Sequence, residues 1–353
     1  MPNFHIVSGG RWNLAQIAVD AAADLRPGHL MWDLSQALPA TVHQPGDCPP
    51  AFVDRIRSLL CGTPDYWALA RQVRERVAPG DVVYCLGEDI GILVAALCGG
   101  ERGGPRIATL IINANRPRAR AALRFYRSRR RIALFLAGVP SQAEFIRDFL
   151  RLPDDRIVFV DDQTDTDFFT PGQPSADKRR PTIVSGGLEK RDYRTLAAAT
   201  AGLDADVKIC AFSPDASKLA SAFPETLPAN MSAAFYDWPE LRQLYRDADI
   251  VVLPLLPNNY SAGLTTMMEA MACRRPVIAT HSAGIIDQLA RERALTAVSG
   301  GDAVALNDAI NQMLSDPVAA EEQAQRGFET VHRRFNKRHA TAELVSILRT
   351  LAA

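Results

Sequence analysis

The stretch 258–289, NNYSAGLTTMMEAMACRRPVIATHSAGIIDQL, sets a glycine turn, a helical segment holding one carboxylate, a β-branched run and a second glycine turn in succession. Gly263 lets the backbone turn tightly. Leu264, Thr265 and Thr266 then open a helix whose unpaired N–H groups and positive dipole end suit a phosphate. Glu269 follows Thr265 by four residues, so helical geometry puts the two on one face. A carboxylate one turn below a bound diphosphate is badly placed to touch phosphate and well placed to accept hydrogen bonds from a ribose diol. Sugar nucleotides present both groups together. Taken alone, the same residues also fit a solvated glutamate beside an ordinary glycine turn.

The elements that position these residues follow from the rest of the chain. With 353 residues and 47% hydrophobic composition, the chain is long enough for two ordinary domains, each with its own core. Forty basic and forty acidic side chains cancel, so no net field draws in nucleic acid or an acidic polymer. The six cysteines show neither CxxC nor Cys/His ligand spacing, which points to free thiols in a reducing compartment and against a metal site. No signal peptide and no apolar run of about 18 residues is apparent. The expectation is a cytoplasmic protein, with attachment to a membrane face left open.

Short apolar runs alternate with longer amphipathic ones, the pattern of parallel sheets covered by helices. A first set of strands is expected at 4–7, 82–85, 106–112, 132–137 and 157–160, with helices between, such as 13–25 and 141–149. A second set is expected at 182–185, 207–211, 232–235, 250–254, 276–280 and 296–298. Between the sets lies 170–181, TPGQPSADKRRP, whose three prolines and polar residues mark a linker. The expected organisation is an α/β chain of two Rossmann-like domains, 1–169 and 182–335, with a C-terminal helix over 336–353 packing back on the first. Ligands of such sheets bind beyond the carboxyl ends of the strands, so the two sheets are expected to face across a cleft.

Four segments in order, DTDFFTP (165–171), ELRQLYRDADIVVLPL (240–255), the region around Glu269 and GGDAVALNDAINQMLSDP (300–317), resemble those of GT-B glycosyltransferases, closest to the retaining family 4 enzymes. The resemblance covers 165–317; the first domain matches only by its strand pattern. It implies a two-domain fold that takes a nucleoside-diphosphate sugar of UDP or GDP type as donor, with no other cofactor and no metal. It also implies that Glu269, the second glutamate of a paired motif, holds the ribose hydroxyls. The first glutamate position is Ser261, whose hydroxyl cannot act as a bidentate charged acceptor. Backbone N–H groups at Gly263, Leu264 and Thr265 are expected to face the diphosphate. The family's cationic pair belongs to the loop SGGLEKRDYRTL (185–196), where Gly187 stands at the expected arginine position. Lys190 and Arg191 remain as the catalytic cations, Arg191 being favoured for bidentate phosphate contact. The alternative for both is a solvated turn paired with Glu189 and Asp192.

In the first domain, Gly9 and Gly10 follow a strand and precede a helix, which fits either close backbone approach to a ligand or a plain turn. Asn113 and Asn115 stand where family members often carry a histidine; an amide orients a hydroxyl but is not a general base. Glu88 and Asp89 follow a strand at the cleft position and fit catalysis less readily than helix capping. The run 116–131, RPRARAALRFYRSRRR, has eight arginines and no acid, and is expected to form one basic helix. That helix fits an anionic membrane surface or lipid phosphate as well as a solvated face; nucleic acid is disfavoured for want of a stacking platform. The implied activity is metal-independent, retaining glycosyl transfer to a hydroxyl of a glycan, lipid-linked sugar or small molecule. A non-catalytic sugar-nucleotide-binding or scaffold protein of the same fold is the alternative, because Ser261, Gly187 and Asn113 replace residues the active family uses. A nicotinamide enzyme is disfavoured, since no complete GxGxxG precedes an acid at the required distance.

Overall fold

The computed structural model describes residues 2–46, 48–100, 104–211, 222–258, 262–282 and 284–353. The chain forms two compact units, one of Met1–Ala18, His29–Asp161 and Ala340–Ala353, the other of Val19–Gly28 and Asp162–His339. Among the described residues each unit carries one sheet of six parallel strands.

The first sheet contains β1 (Phe4–Ser8), β2 (Thr41–His43), β3 (Val82–Leu86), β4 (Arg106–Ile111), β5 (Leu134–Ala137) and β6 (Ile157–Phe159), in the order β2-β1-β3-β4-β5-β6. Its helices are α1 (Leu14–Ala22), α2 (Leu30–Ala37), α3 (Phe52–Ser58), α4 (Pro64–Arg76), α5 (Glu88–Cys98), α6 (Pro117–Phe125), α7 (Ser128–Arg131) and α8 (Pro140–Leu150). Helices cover both faces of the central strands, which is why Val82, Val83, Tyr84 and Cys85 are buried in unbroken succession instead of alternating. Trp67 of α4 is fully buried, and its indole N–H donates to the Cys61 carbonyl at 2.9 Å, which satisfies the one polar atom it takes inside.

The second sheet contains β7 (Thr182–Gly186), β8 (Asp206–Cys210), β9 (Met231–Ala234), β10 (Ile250–Leu253), β11 (Val277–Thr280) and β12 (Thr296–Val298), in the order β12-β11-β10-β7-β8-β9. Around it lie α9 (Tyr193–Thr200), α10 (Trp238–Asp247), α11 (Leu264–Ala272), α12 (Ile285–Arg291), α13 (Ala303–Ser315) and α14 (Pro317–Arg333). The winding direction reverses between β7 and β10, so the loops that leave their carboxyl ends diverge and open a crevice there. The last helix, α15 (Lys337–Ala352), buries Leu344 and Leu348 with Ile6, Leu34, Val82 and Leu136 of the first unit.

The two sheets appear where the alternation of apolar and amphipathic runs puts them, with three differences. The edge strand β2 is additional; its TVH sequence is too short and too polar to read as a strand. The single basic helix expected over 116–131 is instead α6 and α7, broken at Arg127, whose φ of 52° is left-handed. The break turns α7 so that Arg131 donates to the carbonyls of Ala96 and Gly99 at 2.7 and 3.2 Å, closing the carboxyl end of α5. The segment 170–181 is fastened to α10: Arg246 donates to the Thr170 carbonyl at 3.0 Å, and Ser175 donates to Asp247 through its N–H at 2.7 Å and its hydroxyl at 2.8 Å.

Candidate functional site

The crevice at the carboxyl ends of β7 and β10 is built by four pieces of the second unit. The chain leaves β7 through Gly187, whose φ of 84° favours glycine, and makes the turn 188–190, with Lys190 itself left-handed at a φ of 53°. That turn is strapped to the chain leaving β10: the Asp192 N–H donates to the Pro254 carbonyl, and the Leu256 N–H to the Lys190 carbonyl, each at 2.8 Å. The third piece is the start of α11, entered through Gly263 at a φ of 87°. Among the described residues no side chain caps this helix, so its first-turn N–H groups face outward with the positive end of the dipole. Ser261 lies outside the described residues.

Arg191 joins these pieces. It is buried, and its guanidinium lies between Gly187 and Gly263; a Cβ at Gly187 would meet Nη2 at 2.7 Å, and one at Gly263 would meet Nη1 at 3.4 Å. Nε donates to the Gly186 carbonyl at 2.7 Å, Nη1 to the Glu189 carbonyl at 2.8 Å and Nη2 to the Thr266 hydroxyl at 3.3 Å. Those bonds offset the cost of taking a cation out of water and fix its plane. Arg191 is therefore buried and not part of a solvated charged turn, and it reaches the Glu189 carbonyl. Lys190 is exposed, and Asp192 caps α9 by accepting from the Thr195 N–H at 3.1 Å.

The fourth piece is Glu269, one and a half turns down α11. It is buried, with Tyr245 of α10 donating its hydroxyl to Oε2 at 2.8 Å. Burial pushes its carboxyl up to about 7, against the pull of the Tyr245 hydroxyl and the Arg191 charge. Tyr245 is raised well above the ordinary phenol value, first by burial and then by the Glu269 charge, so it stays a donor. The Tyr245 ring is set by Phe169 from the DTDFFTP segment, with centroids 6.0 Å apart. Thus a motif nearly a hundred residues upstream shapes the carboxylate through one phenol. Thr265 is exposed, whereas Thr266, one residue on, is buried against Arg191. Tyr245 was not singled out from sequence, and Thr266 only as part of the helix start, not as a partner of Arg191. A tyrosine inside a helix gives no sign of its partner, and neighbouring threonines differ only in which side of the helix the crevice takes.

The first-unit candidates lie at the carboxyl ends of β1, β3 and β4. Gly10 follows β1, with its N–H donating to Ser8 Oγ at 3.1 Å. Glu88, the first residue of α5, is buried and fully engaged: Oε2 accepts from the Ile112 N–H at 2.9 Å, and Oε1 from the Asn113 N–H at 3.1 Å and Arg116 Nη2 at 3.0 Å. It holds the loop after β4 and does not cap its own helix. Asn113 is tied through its main chain, its carbonyl also accepting from Arg116 Nε at 3.0 Å. Among the described residues no group of three or more His, Cys, Asp or Glu is arranged to hold a metal ion. Nor is any described helix long and apolar enough to cross a membrane.

Residues 195–316 match the family model for glycosyl transferases group 1. A curated relative, alpha-maltose-1-phosphate synthase of Mycolicibacterium smegmatis (strain ATCC 700084 / mc(2)155), is 24% identical over 238 residues, which are 60% of this chain and 61% of that protein's length. Among solved structures, sucrose-phosphate synthase from Thermosynechococcus elongatus superposes with a TM-score of 0.72 at 17% identity, over 99% of each chain. Anabaena HepE in complex with UDP-glucose superposes with a TM-score of 0.67 at 14% identity, over 98% of this chain and 99% of that one. These likenesses identify the fold as GT-B, and the segment 195–316 as similar to the glycosyl transferases group 1 family.

Proposed function

We propose that this chain, a GT-B protein similar to the glycosyl transferases group 1 family over 195–316, is a retaining, metal-independent glycosyltransferase. It takes a sugar from a UDP or GDP sugar and passes it to a hydroxyl of a glycan, a lipid-linked sugar or a small molecule. The observation that carries the reading is the buried Glu269 carboxylate, held on one oxygen by Tyr245 and set one and a half turns below the uncapped start of α11, beside the Arg191 guanidinium. A diphosphate at the helix start meets the N–H groups of Leu264 and Thr265 and the charge of Arg191. Its ribose hydroxyls then donate to Glu269. The solved relative that holds UDP-glucose supports a nucleotide sugar as the ligand.

In the proposed reaction the bond from the anomeric carbon to the diphosphate oxygen breaks, and a bond to the acceptor oxygen forms on the same face. The acceptor proton passes to an oxygen of the departing phosphate. Arg191 and the exposed Lys190 stabilise the charge that collects on the diphosphate, where fixed donors act most strongly. Gly187 keeps its place because a side chain there would displace the guanidinium.

The test is calorimetric titration with UDP and with GDP, repeated on Glu269→Ala, alongside donor hydrolysis and transfer assays. One nucleotide should bind, and the variant should lose about tenfold or more in affinity, the value of a charged hydrogen-bond acceptor. Equal affinity in the variant removes the ribose assignment. Binding without hydrolysis or transfer across a panel of hydroxyl acceptors identifies a sugar-nucleotide-binding protein instead.

A further inference from the structure

We infer that the edge of the first unit formed by α3, α6 and α7 docks on an anionic lipid surface. Helix α3 is inside out. Its outward side carries Phe52 at 79% exposure, Ile56 at 52% and Leu59, in the turn that follows, at 81%, with Val53 and Leu60 beside them. The spacing of 52, 56, 59 and 60 lays these side chains along one helical stripe. On the inward side Asp54 is fully buried, accepting from the Ala51 N–H at 2.9 Å and from Arg71 Nη2 at 3.0 Å. A helix that faced only water would put Phe52, Ile56 and Leu59 inward. Here the buried Asp54, paired with the half-buried Arg71, fixes the opposite orientation.

The charges around this ridge decide its occupant. The turn after α3 and the start of α6 line one cavity of about 510 Å³, in which Cys61, Gly62 and Tyr66 face Arg118, Ala119 and Ala122. Arg57 of α3 stacks over the Trp67 ring at 5.3 Å, and Trp67 in turn lies 5.5 Å from Tyr126, between α6 and α7. Arg118 and the Tyr126 end of α6 are thus neighbours of the turn that ends the apolar ridge. Of its eight arginines, Arg116 is tied to Glu88 and Asp89, Arg120 and Arg124 stack on Phe149, and Arg131 closes α5. Arg118, Arg127, Arg129 and Arg130 are exposed, as are Arg55 on α3 and the Phe125 ring at the end of α6.

A second copy of the chain would set these arginines against one another. Nucleic acid would leave Ile56 and Leu59 without a partner, since neither can stack on a base. An anionic bilayer answers both features, its headgroups taking the guanidinium groups and its acyl boundary taking the aliphatic ridge. The docking does not depend on the sugar-transfer reading, because neither α3 nor α7 holds a residue of that site.

The experiment is flotation of the full chain with vesicles of phosphatidylcholine, alone or with about a third phosphatidylglycerol, at low salt and at about 1 M salt. The chain should float with the anionic vesicles at low salt and be released at high salt. Ile56→Ser with Leu59→Ser, and separately Arg127→Glu with Arg130→Glu, should each weaken binding about tenfold or more. Nucleotide titration and thermal melting should stay unchanged, since all four positions are exposed. Failure to float with the anionic vesicles, or flotation of the double-serine variant equal to the parent, overturns the inference. So does a dimer in solution that Leu59→Ser dissociates, or an RNA that competes off the vesicles at equal charge.

Discussion

Glu88 and Glu269 are both buried carboxylates beyond a parallel sheet, one in each unit, and their surroundings differ in kind. Glu88 accepts from two main-chain N–H groups and an arginine, so every part of its charge is answered inside the fold. Glu269 is held on Oε2 by a phenol and carries a carboxyl pushed up to about 7. The first carboxylate is a fastening for the loop after β4. The second is costly to ionise because burial outweighs the one hydroxyl that donates to it. Burial alone therefore does not separate a structural carboxylate from a candidate binding one; the number and kind of its donors do.

The largest expected effect comes from the fastening. Glu88→Ala leaves two main-chain N–H groups without their acceptor and takes one of the two carboxylates from Arg116, and should cost about 4 kcal/mol in thermal or denaturant unfolding while leaving nucleotide affinity alone. A loss of affinity with unchanged stability would reverse the contrast between the two glutamates.

Glu269 should show the opposite pattern, with a definite sign in pH. Its folded value is raised above the ordinary 4.5, so the folded state holds the proton more tightly than the unfolded chain does. The stability it contributes is present below about 4.5 and is lost as pH rises through about 7, by on the order of 3 kcal/mol. Glu269→Gln should flatten that fall, measured as unfolding free energy across the same window. Nucleotide binding should run the other way. If ribose hydroxyls donate to the carboxylate, affinity rises through about pH 7, and calorimetry in buffers of different ionisation enthalpy registers proton release that the Gln variant lacks. The ligand would then recover free energy that ionisation takes from the apo fold.

Smaller effects sharpen the positioning. Arg191→Lys loses the planar fork that spans Gly186, Glu189 and Thr266, and should cost about 2 kcal/mol of stability together with a clear drop in sugar transfer. Tyr245→Phe removes one hydrogen bond, worth about 1 kcal/mol, and should move the Glu269 titration upward, since the phenol holds it down.

What was legible in the sequence follows the same division. The central strands could be read because helices cover both their faces, leaving apolar runs such as Val82–Leu86 unbroken. The start of α11 could be read because Gly263 has a required backbone conformation. Tyr245 could not, because its role depends on which side of α10 meets α11, and that is a property of packing. Nor could the break at Arg127, where a left-handed arginine stands without the glycine or asparagine that usually announces one. The short edge strand Thr41–His43 offered too little pattern to separate from a loop.

The two main-chain bonds that strap the Lys190 turn to Pro254 and Leu256 have a consequence for anyone who alters this protein. Arg191 rides on a piece of chain some sixty residues away from it in sequence, so remodelling the loop between β10 and α11 would carry the guanidinium along. Grafting that loop from a protein of the same fold would thus exchange more than the side chains it contains, and the 187–192 turn should be transplanted with it as a single cassette.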